Sequence, residues 1–300
     1  MCGIVGLFFK NKSMEPQLGE LFSTMLDCMS SRGPDSAGFA IYGDTMPEGS
    51  LKLTLQHENE KYPWGQIAHA LEGGLRSMVK YNVYSTHAVF TLAAKEGALR
   101  RFMRRACPEV RIMSIGQRIE IMKEVGSPCS VLNRFHVREM SGSHAIGHTR
   151  MATESAITTA GSHPFSTGLD LCLVHNGSLS NHNGLRENLR REGIEFQTDN
   201  DSEVAAGYLT WRMGLGDSLQ QALEHALDDL DGFYTFAIGT RDGFAVLRDP
   251  IACKPAVMAE TDDYVAMASE YRSLAALPGI DDARLWEPEP ATVYNWSVPT

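Results

Sequence analysis

The sequence has no Cys-x-x-Cys pair, no apolar run near the roughly 18 residues that a membrane-spanning helix needs, and no surplus of basic charge. Each absence closes a class of function. The six cysteines (2, 28, 107, 129, 172 and 253) are too scattered in 300 residues for a disulfide framework or a zinc site, so no metal is expected. Five of them read as buried or incidental thiols of a reducing cytoplasm. The apolar stretch Gly3 to Phe9 has no basic region before it and no small-residue cleavage site after it, which excludes a targeting signal. With 27 Lys and Arg against 37 Asp and Glu, the formal charge of -10 excludes nucleic acid and anionic membrane as main partners.

What is present suits a soluble globular protein, 43% hydrophobic and 21% charged, with length enough for one large core or two modest ones. The one basic cluster, Arg100, Arg101, Arg104, Arg105 and Arg111, reads first as a solvated helical face. A docking patch for an acidic partner is the second reading.

Residues 3–9 form a continuous apolar run, which predicts a strand buried on both faces. Most chains open with a loose tail, so something requires these first residues inside the fold. Leu18, Leu21, Phe22, Met25, Leu26 and Met29 then recur at helical spacing, with Ser13 as the expected N-cap and Gly33-Pro34 as the stop. A strand is expected over 37–42. Residues 45–140 change in texture and predict a small α/β lobe: strands at 51–56, 84–92 and 109–115, and helices at 64–80 and 95–106. Beyond it, strands are expected at 145–148, 171–175, 233–239, 244–248, 255–259 and 263–268. Helices are expected at 181–192, 202–213 and 218–229. Strand-rich blocks alternating with paired helices predict two sheets between helical layers.

Cys2 stands out by position. Removal of Met1 gives a thiol whose own α-amine can act as base, with reference pKa values of about 8.5 and about 7.7–8.0. A small residue opening a strand is the plainer reading of Cys2 taken alone. Arg32 at a helix end either offsets the helix dipole or supports a loop beside a nucleophile. Arg150, leaving a strand, has the side chain best shaped to hold a carboxylate. His148 reads as a hydrogen-bonded structural histidine, since Cys2 already has a base. Asn176-Gly177 is either a turn or, after a buried strand, an oxyanion donor set. Asp201 is either a helix N-cap, with Glu203 as a first-turn acid, or the acceptor of a substrate ammonium.

In order, Met-Cys-Gly-Ile-Val-Gly at 1–6, Arg-Gly-Pro-Asp-Ser-Ala-Gly at 32–38, Gly-His-Thr-Arg at 147–150, His-Asn-Gly at 175–177 and Asp-Ser-Glu at 201–203 closely resemble the class II glutamine amidotransferases. Arg248-Asp-Pro250 with Lys254-Pro255, and Ala268-Ser-Glu270, extend the match. It covers nearly the whole chain except about 45–140, which marks that lobe as an insertion. The resemblance implies the α+β, four-layer αββα sandwich of the N-terminal nucleophile hydrolases. It implies Cys2 as nucleophile and Asn176 and Gly177 as oxyanion donors. Arg150 with Thr153 would hold the glutamine α-carboxylate and Asp201 the α-ammonium, while Arg32, counted with the substrate-side residues, would steady the nucleophile region. Glutamine would be hydrolysed through a γ-glutamyl thioester, with no metal or organic cofactor.

No ammonia-consuming domain follows in the sequence. The chain is therefore most similar to stand-alone amidotransferase subunits of glutamate synthase-like systems, N-methylglutamate synthase included, with a separate synthase subunit as ammonia acceptor. Met151-Ala152 and Glu-Pro-Glu-Pro at 287–290 depart from the family pattern without touching the expected chemistry. A γ-glutamyl amide hydrolase that passes no ammonia on is one rival reading. A scaffold subunit that keeps Met1, and so lacks the free amine, is the other.

Overall fold

In a computed structural model that describes residues 2–151 and 157–297, strand β1 (Gly3–Phe9) is apolar throughout because both its faces are covered. Val5, Leu7 and Phe9 face a helical layer, whereas Ile4 and Phe8 face a second sheet. The other strands are β2 (Ser36–Tyr42), β3 (Ser50–Gln56), β4 (Val79–Tyr84), β5 (His87–Ala93), β6 (Arg111–Gly116), β7 (Ile119–Val125), β8 (His144–Arg150), β9 (Cys172–Leu179), β10 (Gly232–Thr240), β11 (Gly243–Arg248), β12 (Val257–Glu260), β13 (Tyr264–Ala268), β14 (Arg284–Trp286) and β15 (Val293–Ser297). The helices are α1 (Leu18–Asp27), α2 (Trp64–Leu75), α3 (Glu96–Ala106), α4 (Pro128–Arg134), α5 (His182–Arg191), α6 (Asp201–Gly214) and α7 (Leu219–Asp229).

A seven-stranded sheet runs β14-β12-β13-β1-β8-β2-β7, and a four-stranded sheet runs β15-β11-β10-β9. Their inner faces share one core, including Ile4, Phe8, Tyr42, Ile146, Val174, Phe244 and Met267. The outer face of the larger sheet packs on α1 and α4. That of the smaller sheet packs on α5, α6 and α7. The result is the expected four-layer αββα sandwich. Period-two burial on each central strand supplies both its cores.

Of residues 45–140, those from Ser50 to Gly116 build a separate sheet, β4-β5-β3-β6, which shares a core of its own with α2 and α3. Ile119–Val125 instead pairs with β2 at the edge of the large sheet, and α4 joins its helical layer. The basic face of α3 is held by acids and backbone: Arg100 bonds Glu96 and the Thr167 carbonyl, and Arg104 pairs with Glu195. The Ser13 cap is corrected. Asn11 accepts from Ser13 N and caps a 3-10 turn, Lys12–Gln17, ahead of α1, because its side chain reaches two residues on as an Asx turn.

Candidate active site at the head of the central strand

The first residues of β1 are fixed from both sides. Gly3 pairs with Thr149 of β8. On the other flank, Ile4 N donates to Ser269 Oγ at 3.0 Å, and Ser269 N donates to the Ile4 carbonyl at 2.9 Å. Cys2, a free and partly exposed thiol, heads this strand. Its carbonyl accepts from Arg32 Nε at 3.1 Å and from Asn176 Nδ2 at 3.3 Å. Met1 lies outside the described residues.

Arg32 therefore does not serve the C-terminus of α1, which ends earlier at Asp27. Its Nη1 lies 2.6 Å from Glu270 Oε1, and Arg272 Nε lies 2.6 Å from Glu270 Oε2. The bond from Arg32 holds the Glu270 carboxyl below its ordinary pKa, with Arg272 adding to it against the opposing effect of burial. Arg32 thus braces the Cys2 backbone and is itself braced by Glu270. The next residue explains the Arg-Gly-Pro order: a Cβ at Gly33 would meet the Thr149 carbonyl oxygen at 2.6 Å, so only glycine lets this turn rest on the exit of β8.

Arg150, half-buried, closes β8, and its carbonyl accepts from Asp35 N at 3.1 Å. Its charge lies close enough to His148 and His163 to help keep both rings neutral. Thr153, expected beside it, lies outside the described residues. Asn176 and Gly177 are not a turn at a strand end. β9 runs on through them to Leu179, pairing them with Thr235 and Tyr234 of β10. Gly177 sits at φ +151, a conformation that side-chain-bearing residues avoid.

Asp201 opens α6, but Asn200 is its N-cap and accepts from Ser202 N at 2.8 Å. Asp201 Oδ2 accepts from Leu179 N at 2.9 Å, which ties the start of α6 to the end of β9. Glu203 is not a solvated first-turn acid. It is buried and folds back to accept from Gln197 N, Thr198 N and Thr198 Oγ1. Direct bonds thus join Cys2, Arg32 and Asn176. Asp201 joins the far end of the same β9, and Arg150 closes the strand next to β1.

Residues that sequence reasoning left without a role also serve the site. Glu270 and Ser269, which in the sequence are only part of a motif, hold Arg32 and Ile4. His163 and Lys123 carried no signal, since an isolated histidine before proline and a lysine in an apolar strand look like loop and surface. His148, expected to be a hydrogen-bonded structural histidine, is buried and stacks on His163 with ring centroids 4.0 Å apart, while its Nε2 finds no hydrogen-bond partner among the described residues. Among the described residues no group of three or more histidines, cysteines and acids is placed to hold a metal ion.

A sequence family described as a glutamine amidotransferase domain matches residues 148–276. The glutamine amidotransferase-like protein GlxB of Rhizobium meliloti is 61% identical over 298 residues, covering 99% of this chain and 98% of its own. A putative glutamine amidotransferase of Methanothermobacter thermautotrophicus is 31% identical over 306 residues, covering 98% of this chain and all of its own. Among solved structures, the glutamine phosphoribosylpyrophosphate amidotransferase of B. subtilis superimposes with a TM-score of 0.62 at 19% identity, over 98% of this chain and 47% of that one, a likeness of fold. With the αββα layers and the five motifs in order, these findings establish that the chain belongs to the class II glutamine amidotransferases, on the N-terminal nucleophile hydrolase fold.

Proposed function

We propose that this chain is a cytoplasmic glutaminase subunit that hydrolyses L-glutamine to glutamate and ammonia and hands the ammonia to a separate, glutamate synthase-like subunit. The observation that carries the reading is the meeting of Asn176 Nδ2 with the backbone of Cys2 at 3.3 Å, which brings a neutral amide donor from one sheet to the nucleophile of the other. In this reading, with Met1 removed, the Cys2 sulfur attacks the side-chain carbonyl carbon of glutamine. The thiol proton passes by way of the α-amine to the leaving nitrogen. Asn176 and the Gly177 amide stabilise the oxyanion, a kind of donor whose removal typically costs about a hundredfold to a thousandfold in rate. Ammonia leaves, water adds to the γ-glutamyl thioester, and glutamate departs as the thiol is restored. Arg150 and Thr153 take the α-carboxylate, Asp201 takes the α-ammonium, and Arg32 steadies the nucleophile. We also propose the Ser50–Gly116 sheet with α2 and α3 as an inserted lobe that helps the synthase dock.

The test is intact mass of the purified chain before and after 6-diazo-5-oxo-L-norleucine, with peptide mapping. Loss of Met1 and one adduct on Cys2 is the expected result. A retained Met1 and no adduct, with candidate synthases present, refutes the glutaminase reading and favours a scaffold subunit. Full turnover by the isolated chain, unaffected by any synthase, refutes the coupling.

A further inference from the structure

Beneath the site lies a group of buried polar side chains that the chemistry above leaves unused. His148, His163, His175 and Ser202 are all buried where β8, the segment before β9, β9 and α6 meet. The backbone N–H of His175 donates to His163 Nδ1 at 3.1 Å. A peptide N–H can only donate, so His163 Nδ1 carries no proton and the neutral ring's proton sits on Nε2. That nitrogen faces Ser202 Oγ at 3.1 Å, and Ser202 accepts there.

Ser202 then has one proton to give, with His175 Nδ1 at 2.9 Å and Asp201 Oδ1 at 3.3 Å. His175 Nε2 completes no bond, but a Cβ at Gly177 would touch both it and the Phe233 carbonyl oxygen, at 2.8 and 1.9 Å, so the two lie on the same side of Gly177. A carbonyl there calls for a proton on Nε2 and leaves Nδ1 as acceptor. The shorter contact therefore takes the hydroxyl proton. Donation runs one way around the group: His175 amide to His163, His163 to Ser202, Ser202 to the His175 ring. Burial keeps the imidazoles neutral, pushing His163 and His175 below the ordinary histidine value. Hence the 3.8 Å approach of His175 to Asp201 is no ion pair.

This relay touches both ends of the proposed site. The His175 ring edge lies under Gly177, where an added methyl would come within 2.8 Å of Nε2, so the ring's rotation sets the floor of the Asn176–Gly177 step. Ser202 adjoins Asp201 in sequence, and Asp201 Oδ1 at 3.3 Å is the second acceptor within reach of its one proton. Lys123 of β7 holds the third corner: its Nζ donates to the carbonyls of Ala160, Ser162 and Pro164 at 3.3, 2.6 and 3.1 Å, clamping the peptide that presents His163. We infer that Ser202 is a positioning residue that, through His163 and His175, couples the Asp201 carboxylate to the Asn176–Gly177 donor pair. The inference rests on the glutaminase reading. A cation on Asp201 takes up the carboxylate that competes for the Ser202 proton and leaves the Ser202–His175 bond unopposed, so occupancy of one subsite stiffens the other.

The relay is tested by long-range ¹H–¹⁵N correlation on the full chain with ¹⁵N-labelled histidine. His163 and His175 are both expected as Nε2–H tautomers, and Ser202→Ala is expected to change that of His175. An Nδ1–H tautomer at either ring in the wild type overturns the relay. In parallel, inactivation by 6-diazo-5-oxo-L-norleucine is resolved into its binding and rate constants. Ser202→Ala should weaken binding and slow inactivation by about fivefold each, the size of one buried hydrogen bond, while Ser202→Thr, which keeps the hydroxyl, restores both. A folded Ser202→Ala protein with both constants unchanged overturns the coupling alone. A wild type that never labels on Cys2 overturns the glutaminase reading, and the tautomers then judge the relay by themselves.

Discussion

Acid should unfold this protein well above the pH at which carboxylates protonate, and the cause is its buried histidines. Burial is the main force pushing His87, His144 and His148 down to about 3, reinforced by Lys123 and Arg134 at His87, by Arg118 at His144, and by His175 and Arg150 at His148. The geometry agrees for His144, whose ring stacks on Tyr42 at 4.0 Å and is bonded at both nitrogens, by Ser143 Oγ and the Thr240 carbonyl. One donor and one acceptor partner suit the neutral ring. In the unfolded chain these groups titrate near 6.5. Between pH 6.5 and 3 the unfolded chain therefore holds protons that the fold refuses. The stability present above pH 6.5 is lost as pH falls through that window. At pH 5 the loss is about 2 kcal/mol per ring, or about 6 kcal/mol for the three. His163 and His175 add to it in the same direction. Urea unfolding at pH 7.5 and 5.0 measures this. With a slope of about 3 kcal/mol per molar, the midpoint should fall by about 2 M. Equal midpoints at the two pH values, or charged rings at these positions in the folded protein at pH 5, would refute the reasoning.

Three substitutions probe the scaffold around the site. Glu270→Gln keeps the shape but removes the charge that anchors Arg32; urea unfolding should show a loss of about 1–2 kcal/mol, and alkylation of Cys2 by iodoacetamide should change in rate as its backbone loosens. Gly33→Ala drives a methyl into the backbone at Thr149 and Arg150, which cannot give way as a side chain would. A loss of about 2 kcal/mol or more is expected by the same assay, and a neutral result would show that the turn shifts freely. Lys123→Met preserves bulk against Phe165 yet strands three carbonyls. The expected cost is about 3 kcal/mol or more, and hydrogen exchange should rise in the segment 160–165.

The sequence is most readable where one face pattern decides the outcome. β1 and β2 are apolar at nearly every position because two cores claim them, and α1 shows its buried stripe at helical spacing. β7 is illegible for the opposite reason. Ile119-Glu-Ile-Met-Lys-Glu-Val has three charges in seven residues, and each is satisfied from far along the chain: Glu120 by Lys52, Lys123 by carbonyls at 160–164, Glu124 by Thr86. A polar strand that is buried cannot be told from a surface one until its partners are known. The same limit hid Glu270 and Ser202, whose roles lie in contacts across 238 and 39 positions. Arg32, by contrast, can be placed near the first residues from its motif, and its Nε does meet the Cys2 carbonyl, although what supports Arg32 cannot be read there.

That difference bears on how the site is built. Cys2 comes from the seven-stranded sheet, while Asn176 and Gly177 come from the four-stranded one. Their separation is set by what lies between the sheets, where Phe8 stacks on Phe244 at 6.4 Å and Ile4 packs among Val174 and Ala237. A rigid, closely packed core transmits a change of one methylene into displacement, so residues that never touch substrate set the reach from Asn176 to Cys2. Local motifs name the candidate site residues, because each motif is one strand's exit or one helix's start. The distance between groups on different sheets belongs to no motif. It is held by the interlayer core at one end and, at the other, by the bonds of Arg32, Glu270 and Ser202.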